Sequence, residues 1–193
     1  MRIISIDPGY ERLGIAILEK RPLDLVSGKP SSTKSYNVAR ETLIFSECFK
    51  TSNKLPHHER LTLIGNRVKE IIKKYKPEQL ATEKLFFSGN QKTAMLVAEA
   101  RGVILYTGSS LGLEVFEYTP NSVKIAITGY GRSEKRQMIS MVEKLIDVKP
   151  PAQGKTLGKP SKSDDEFDAI AIGLTHFAIH RQVWYKHKWR LAL

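Results

Sequence analysis

Cysteine is nearly absent: Cys48 alone occurs among 193 residues, so the chain has no internal disulfide and no Cys/His framework of the structural zinc type. The surrounding run ETLIFSECF is rich in apolar residues, and a buried thiol is the expectation there. Long apolar runs are absent too. No stretch reaches the roughly 18 apolar residues of a membrane span. The opening MRIISID meets Asp7 before any signal-peptide core has formed, so a cytoplasmic address and no membrane association are expected. Nor is there an internal repeat or a linker between two periodic halves, and 41% hydrophobic against 26% charged residues suffices for one core.

Negative charge is also short. Twenty Asp and Glu stand against 31 Lys and Arg, a net charge of +11 that favours a polyanionic partner, nucleic acid first among them. Many small basic proteins bind nothing charged, so the charge alone leaves the partner open.

What is present alternates strands with helices. IISID and GIAILE read as strands joined by the turn PGYERLG, and ETLIFSECF as a third strand, together an antiparallel meander. Residues 21–40, with two Pro and several Ser and Lys, read as a long excursion between the second and third strands. Leu61, Ile64, Val68, Ile71 and Ile72 recur at helical spacing and predict an amphipathic helix over about 57–75, closed by Pro77. QLATE then predicts a strand ending at Glu83, followed by a helix from about Asn90 with small residues at Ala94, Ala98 and Gly102. VFEY is a further strand, NSVKIAI a short helix, and residues 133–147 a helix with Met138, Val142 and Leu145 on one side. KPPAQGKTLGKPSK is loop by composition. Ser163 followed by Glu166 has the form of a capping box for a last helix, with Ala169, Ile170, Ile172, Gly173 and Phe177 as its apolar surface. This alternation predicts an α/β layer architecture.

Acidic residues sit at the ends of these elements. Asp7 closes an apolar strand just before a Pro-Gly turn, on a rigid edge; a turn residue accepting local backbone hydrogen bonds is the alternative. Glu83 repeats the pattern at the end of QLATE, with a solvated Glu balanced by Lys84 as the plainer reading. Asp165 and Asp168 are three residues apart, which puts both on one face of the first helical turns, about 5 to 6 Å apart at Cβ. Capping accounts for Asp164 and Glu166 and accounts less well for Asp168. If QLATE pairs beside IISID, these carboxylates converge. Converging carboxylates repel unless cations hold them, and Mg²⁺ binds through a few carboxylates while keeping waters and phosphate oxygens. That combination points to phosphodiester chemistry.

IISIDPGYERLGIAILE, LATEKLFFSGN, ARGVILY, VFEYTPNSVK, TGYGRSEKRQM and DDEFDAIAIGLTH, in that order, resemble the RuvC family of Holliday junction resolvases. The resemblance spans most of residues 1–180. It implies an α/β fold, a ribonuclease H-like mixed sheet flanked by helices, with 1–180 as the nuclease domain and 181–193 as a basic aromatic C-terminal extension. It implies symmetric, metal-dependent nicking of a four-way DNA junction that leaves 5′-phosphate ends, by a homodimer that works with a branch-migration complex in a bacterial-type cytoplasm. Mg²⁺ is the implied cofactor, two ions per site and about 3.5 to 4 Å apart as in two-metal hydrolysis, with Mn²⁺ as a substitute.

Carried over by position, the resemblance makes Asp7, Glu83, Asp165 and Asp168 the catalytic and metal-binding carboxylates. Some members carry His at the Asp165 position, and Asp164 is one step off and secondary. Phe86 matches an aromatic that stacks on or wedges beside a base at the junction centre, with Phe87 turned into the core. Lys124 and Lys135 match basic positions near the DNA backbone, and Arg132 and Arg136 extend the patch; a solvated helix face is the alternative. The small residues of the Asn90–Ala100 helix suit a dimer interface or simple packing on the sheet. The 21–40 excursion and the basic 149–163 loop are longer than the family's usual connections. The tail VWYKHKWRLAL suits either a DNA contact or a lid on its own core. Alternatives to junction resolution are a related ribonuclease H-like nuclease acting on another branched or hybrid substrate, and a junction binder that does not cut.

Overall fold

The computed structural model describes residues 1–20, 41–85, 91–146 and 163–180, with only the backbone for 91–93. The expectations for the 21–40 excursion, for Phe86 and Phe87, for the loop before Ser163 and for the 181–193 tail lie outside the described residues.

Five strands form one sheet: β1 (Arg2–Asp7), β2 (Arg12–Lys20), β3 (Glu41–Lys50), β4 (Gln79–Glu83) and β5 (Glu114–Tyr118), in the order β3-β2-β1-β4-β5. The first three are the antiparallel meander predicted from the sequence. β4 joins β1 in parallel and β5 joins β4 in parallel, because α1 (His57–Tyr75) and α2 (Gln91–Ser110) each carry the chain back across the sheet. The remaining helices are α3 (Pro120–Thr128), α4 (Lys135–Leu145) and α5 (Asp164–Ile179). The sheet is therefore mixed and flanked by helices, as expected. Among the described residues no helix is long and apolar enough to cross a membrane.

The pleat divides the core in two. Ile4, Ile6, Ile15, Ile17 and Leu80 point to one face, where Ile64, Val68 and Ile71 of α1 and Ala100 and Ile104 of α2 cover them. Ile3, Ala16, Leu18 and Ala81 point to the other, against α5 with α3 and α4 outside it. Most of α5 is buried, including every residue from Ala169 to Phe177, so it is a central helix of the molecule. It lies close on the sheet through two glycines. A Cβ at Gly173 would come within 2.8 Å of the Ser5 hydroxyl and 2.6 Å of Leu18, and one at Gly14 would come within 2.0 Å of the Asp165 carbonyl oxygen. Ser163 caps the helix: its hydroxyl accepts from the Glu166 N–H, and the Glu166 carboxylate accepts from the Ser163 N–H.

Of the expectations for these elements, that of a buried Cys48 needs correction. The helix with small residues, expected from about Asn90, spans Gln91–Ser110, because VILYTGSS continues without a breaker until the left-handed Gly112. Its Gly102 meets no other atom within 4 Å of a Cβ position, so it does not serve close packing within the chain. Cys48 is half-buried, since β3 is an edge strand that one side of the sheet leaves partly open.

Candidate active site

Asp7 and Glu83 close adjacent parallel strands. Ile6 is paired with Thr82, so the next residue of each strand continues the register side by side. Alternation from Ile3 and Ser5, which face α5, puts Asp7 on that same face, and Ala81 does the same for Glu83. The N-terminal turns of α5 bring Asp165 and Asp168 over this edge, held there by the close approach to Gly14, which is itself the pairing partner of Asp7.

These acids sense one another. Burial raises the Asp7 carboxyl to about 7, and Asp168, Glu83 and Asp165 push it in the same direction, while Lys135 opposes them. Burial also raises Glu83 to about 7, reinforced by Asp168 and opposed by Lys135 and Lys124. Asp168 is raised by burial as well, against the hydrogen bond and charge of Lys135, with Asp165 and Asp164 adding to the rise. Four carboxylates from three elements thus share one electrostatic neighbourhood. Asp164 is exposed and acts on it only at a distance, whereas Glu166 is occupied by the helix cap and by the Ser46 hydroxyl.

Two chain cations reach in. The Lys135 ammonium, from the first turn of α4, is hydrogen-bonded and ion-paired to Asp168. Arg12, at the start of β2, donates to Asp165 Oδ2 from Nε at 2.8 Å and from Nη2 at 2.6 Å. The Cys48 thiol lies 3.4 Å from the same oxygen. Lys124 of α3 acts on Glu83 through charge, while Arg132, in the turn before α4, and Arg136, in its first turn, are exposed. Arg101 of α2 donates to the Glu83 carbonyl at 3.3 Å and pairs with Glu117 of β5, bracing the end of β4.

The turn after Asp7 is braced in turn. Arg60 is 5% exposed; its guanidinium stacks 3.7 Å from the Tyr10 ring and donates to Thr51 Oγ1 and the Tyr10 carbonyl. The Tyr10 hydroxyl bonds His57 Nδ1 at 2.8 Å, and His57 pairs with Glu99 of α2.

The structure thus brings together all four predicted carboxylates, with Lys135 among them and Lys124 beside them. Arg12, Cys48, Arg60 and Arg101 were missed. Their link to the acids is a matter of register between distant segments; only the Arg12 position within the DPGYERLG turn carried a local signal.

Hard oxygen donors of this kind suit a divalent ion such as Mg²⁺. Among the described residues no three Asp, Glu, His or Cys side chains stand close enough together to hold one ion as placed. Arg12 holds Asp165 and Lys135 holds Asp168, each supplying positive charge to a cluster that repels itself. The donor set, four carboxylates, fits the chemistry of the ion.

The family model described as "Crossover junction endodeoxyribonuclease RuvC" matches residues 3–176. A curated protein of that name from Halothermothrix orenii is 39% identical over 176 residues, covering 91% of this chain and 92% of the relative. One from Fusobacterium nucleatum is 38% identical over 176 residues, covering 91% of this chain and 80% of the relative. Among solved structures, the Thermus thermophilus RuvC complex with Holliday junction substrate superposes with a TM-score of 0.75 at 28% identity, covering 94% of this chain and 95% of that one.

Proposed function

The chain belongs to the RuvC family of crossover junction endodeoxyribonucleases, and from that premise we propose that Asp7, Glu83, Asp165 and Asp168 are the carboxylates with which it resolves four-way DNA junctions. It is a hydrolytic endonuclease. Residues 1–180 act as one nuclease domain, with 181–193 as an appended basic aromatic segment. The observation that carries the reading is geometric: Asp7 and Glu83 end adjacent paired strands, and the first turn of α5 lies against Gly14, the pairing partner of Asp7.

Catalysis in the family is metal-dependent, and two Mg²⁺ ions fit the donor chemistry here, with Mn²⁺ as a substitute. Bound there, they would activate the attacking water and stabilise the departing 3′ oxygen. Hydrolysis forms a bond from the water oxygen to phosphorus and breaks the P–O3′ bond, leaving a 5′-phosphate and a 3′-hydroxyl. Asp7 and Glu83, fixed on neighbouring strand ends, set the part of the site that does not move. Asp168 and Asp165 approach from the helix and complete it. Lys135 places an ammonium beside the cluster, where it offsets the negative charge gathered by a backbone phosphate among carboxylates. Lys124, Arg132 and Arg136 grip flanking phosphates and fix position without reading sequence. Phe86, just beyond Glu83, stacks on a base at the junction centre.

A homodimer suits a nearly symmetric junction with two opposed cuts. Its support is the outer face of α2, where Met95 and Tyr106 are exposed and Gly102 offers a backbone open to close approach. A branch-migration complex as further partner and a cytoplasmic place of action complete the reading.

Single-turnover cleavage of a mobile four-way junction, a flap and an RNA–DNA hybrid in Mg²⁺ tests the assignment. Paired nicks confined to the four-way junction are expected. Preferred cleavage of the flap or the hybrid would reassign the substrate, and tight junction binding with no cleavage in Mg²⁺ or Mn²⁺ would make the chain a binder.

A further inference from the structure

We propose that Arg12 is a positioning residue that holds Asp165 when no ion is bound and competes with a divalent ion for that carboxylate. The proposal rests on the reading of Asp165 as an ion ligand.

Both donors of the Arg12 edge converge on one oxygen. Nε at 2.8 Å and Nη2 at 2.6 Å meet Asp165 Oδ2, and the Cys48 thiol meets the same atom at 3.4 Å. Charge-assisted bonds of that length engage the lone pairs of Oδ2, so a hard cation bound through that oxygen has to displace them. A guanidinium keeps its charge at every accessible pH, so deprotonation offers no way out; the pair separates only when the side chain moves or a competitor replaces it. Movement is available. The Arg12 side chain is 50% exposed against 23% for Asp165, so the guanidinium has the more open surroundings into which to swing.

The backbone around the pair keeps it in register. Arg12, at the start of β2, is paired with Lys50 at the end of β3, and Cys48 lies opposite Gly14, the residue on which the Asp165 carbonyl rests. Strands β2 and β3 therefore bring the guanidinium and the thiol to one carboxylate oxygen, while α5 carries that carboxylate to them. The influence of Arg12 is local. The Arg12 guanidinium is bonded to Asp165, while the Lys135 ammonium is bonded to Asp168. Arg12 thus acts on one of the four acids, so it governs how readily that acid is given up to an ion without neutralising the rest of the site.

Mn²⁺ titration of the full chain without DNA, followed by electron paramagnetic resonance of the free ion, tests this with wild type, R12Q, D165N and the double variant. Thermal melts establish that each is folded. R12Q is expected to bind Mn²⁺ more tightly than wild type, D165N more weakly, and the double variant like D165N, because the gain from removing Arg12 requires Asp165. R12K, which keeps the charge and loses the fork, should fall between wild type and R12Q. In cleavage assays the Mg²⁺ concentration at half-maximal rate should fall in R12Q. Unchanged or weaker Mn²⁺ binding by R12Q, beside a loss in D165N, overturns the role of Arg12 and leaves Asp165 as a ligand. Wild-type binding by D165N overturns both.

Discussion

Asp7 and Glu83 hold their protons up to about pH 7 in the ion-free protein, so they oppose folding once they ionise. For Asp7 the ordinary value is 3.8. Between the two values the native state binds more protons than the unfolded chain, so stability falls as pH rises through that window and stays low above it. Removing the carboxylate removes the penalty. D7N is therefore expected to melt at a higher temperature than wild type at pH 8 without divalent ions, with the two curves converging near pH 4. Calorimetry at both pH values checks this, and a higher wild-type melting temperature at pH 8 would contradict it. Protons and ions compete for the same oxygens, so Mn²⁺ affinity should rise with pH up to about 7 and then level off. At Lys135 the opposite charge is at stake. K135M is expected to slow single-turnover cleavage by about 10²–10³ while junction binding changes little, as read from a gel beside a fluorescence titration.

Among the elements, α5 must sit at a fixed height over β2 for the acids to meet. Gly14→Ala would drive a methyl to within 2.0 Å of the Asp165 carbonyl oxygen, so helix or strand has to shift. The expected cost is about 1–3 kcal/mol of stability by chemical denaturation, with a loss of cleavage larger than that destabilisation alone explains. The elements themselves were legible because their signals are local. The β-branched IISID, the helical spacing from Leu61 to Ile72 and the Ser163/Glu166 cap each lie within a few residues, and the strand ends at Asp7 and Glu83 followed from them. What the sequence withheld is pairing across it. Arg12 lies 153 residues from Asp165, and Lys135 lies 33 from Asp168, so no periodicity links either pair. Resemblance placed Lys135 near the DNA backbone; the structure puts its ammonium on a carboxylate, a contact that depends on how α4 crosses the start of α5. Nothing local distinguishes Arg60 from the other basic residues of α1, yet Tyr10 and Thr51 bury it under the Asp7 turn.

At the scale of the whole molecule, a chain of net charge +11 carries a site whose own residues are acidic. On the proposed reading, basic residues draw the phosphate backbone in and the acids take up ions to receive it. Neutralising Lys124, Arg132 and Arg136 together should therefore weaken junction binding for every sequence alike and flatten its dependence on log salt by about 0.9 for each phosphate left without its cation. The central claim is that carboxylates from β1, β4 and α5 act together in cleavage and not in binding. Its most direct test is to measure, on one mobile four-way junction in Mg²⁺, the dissociation constant and the single-turnover cleavage rate of D7N, E83Q and D168N. Near-wild-type binding with cleavage abolished in all three is the predicted result; cleavage at the wild-type rate by any of them, with the protein folded, would contradict it.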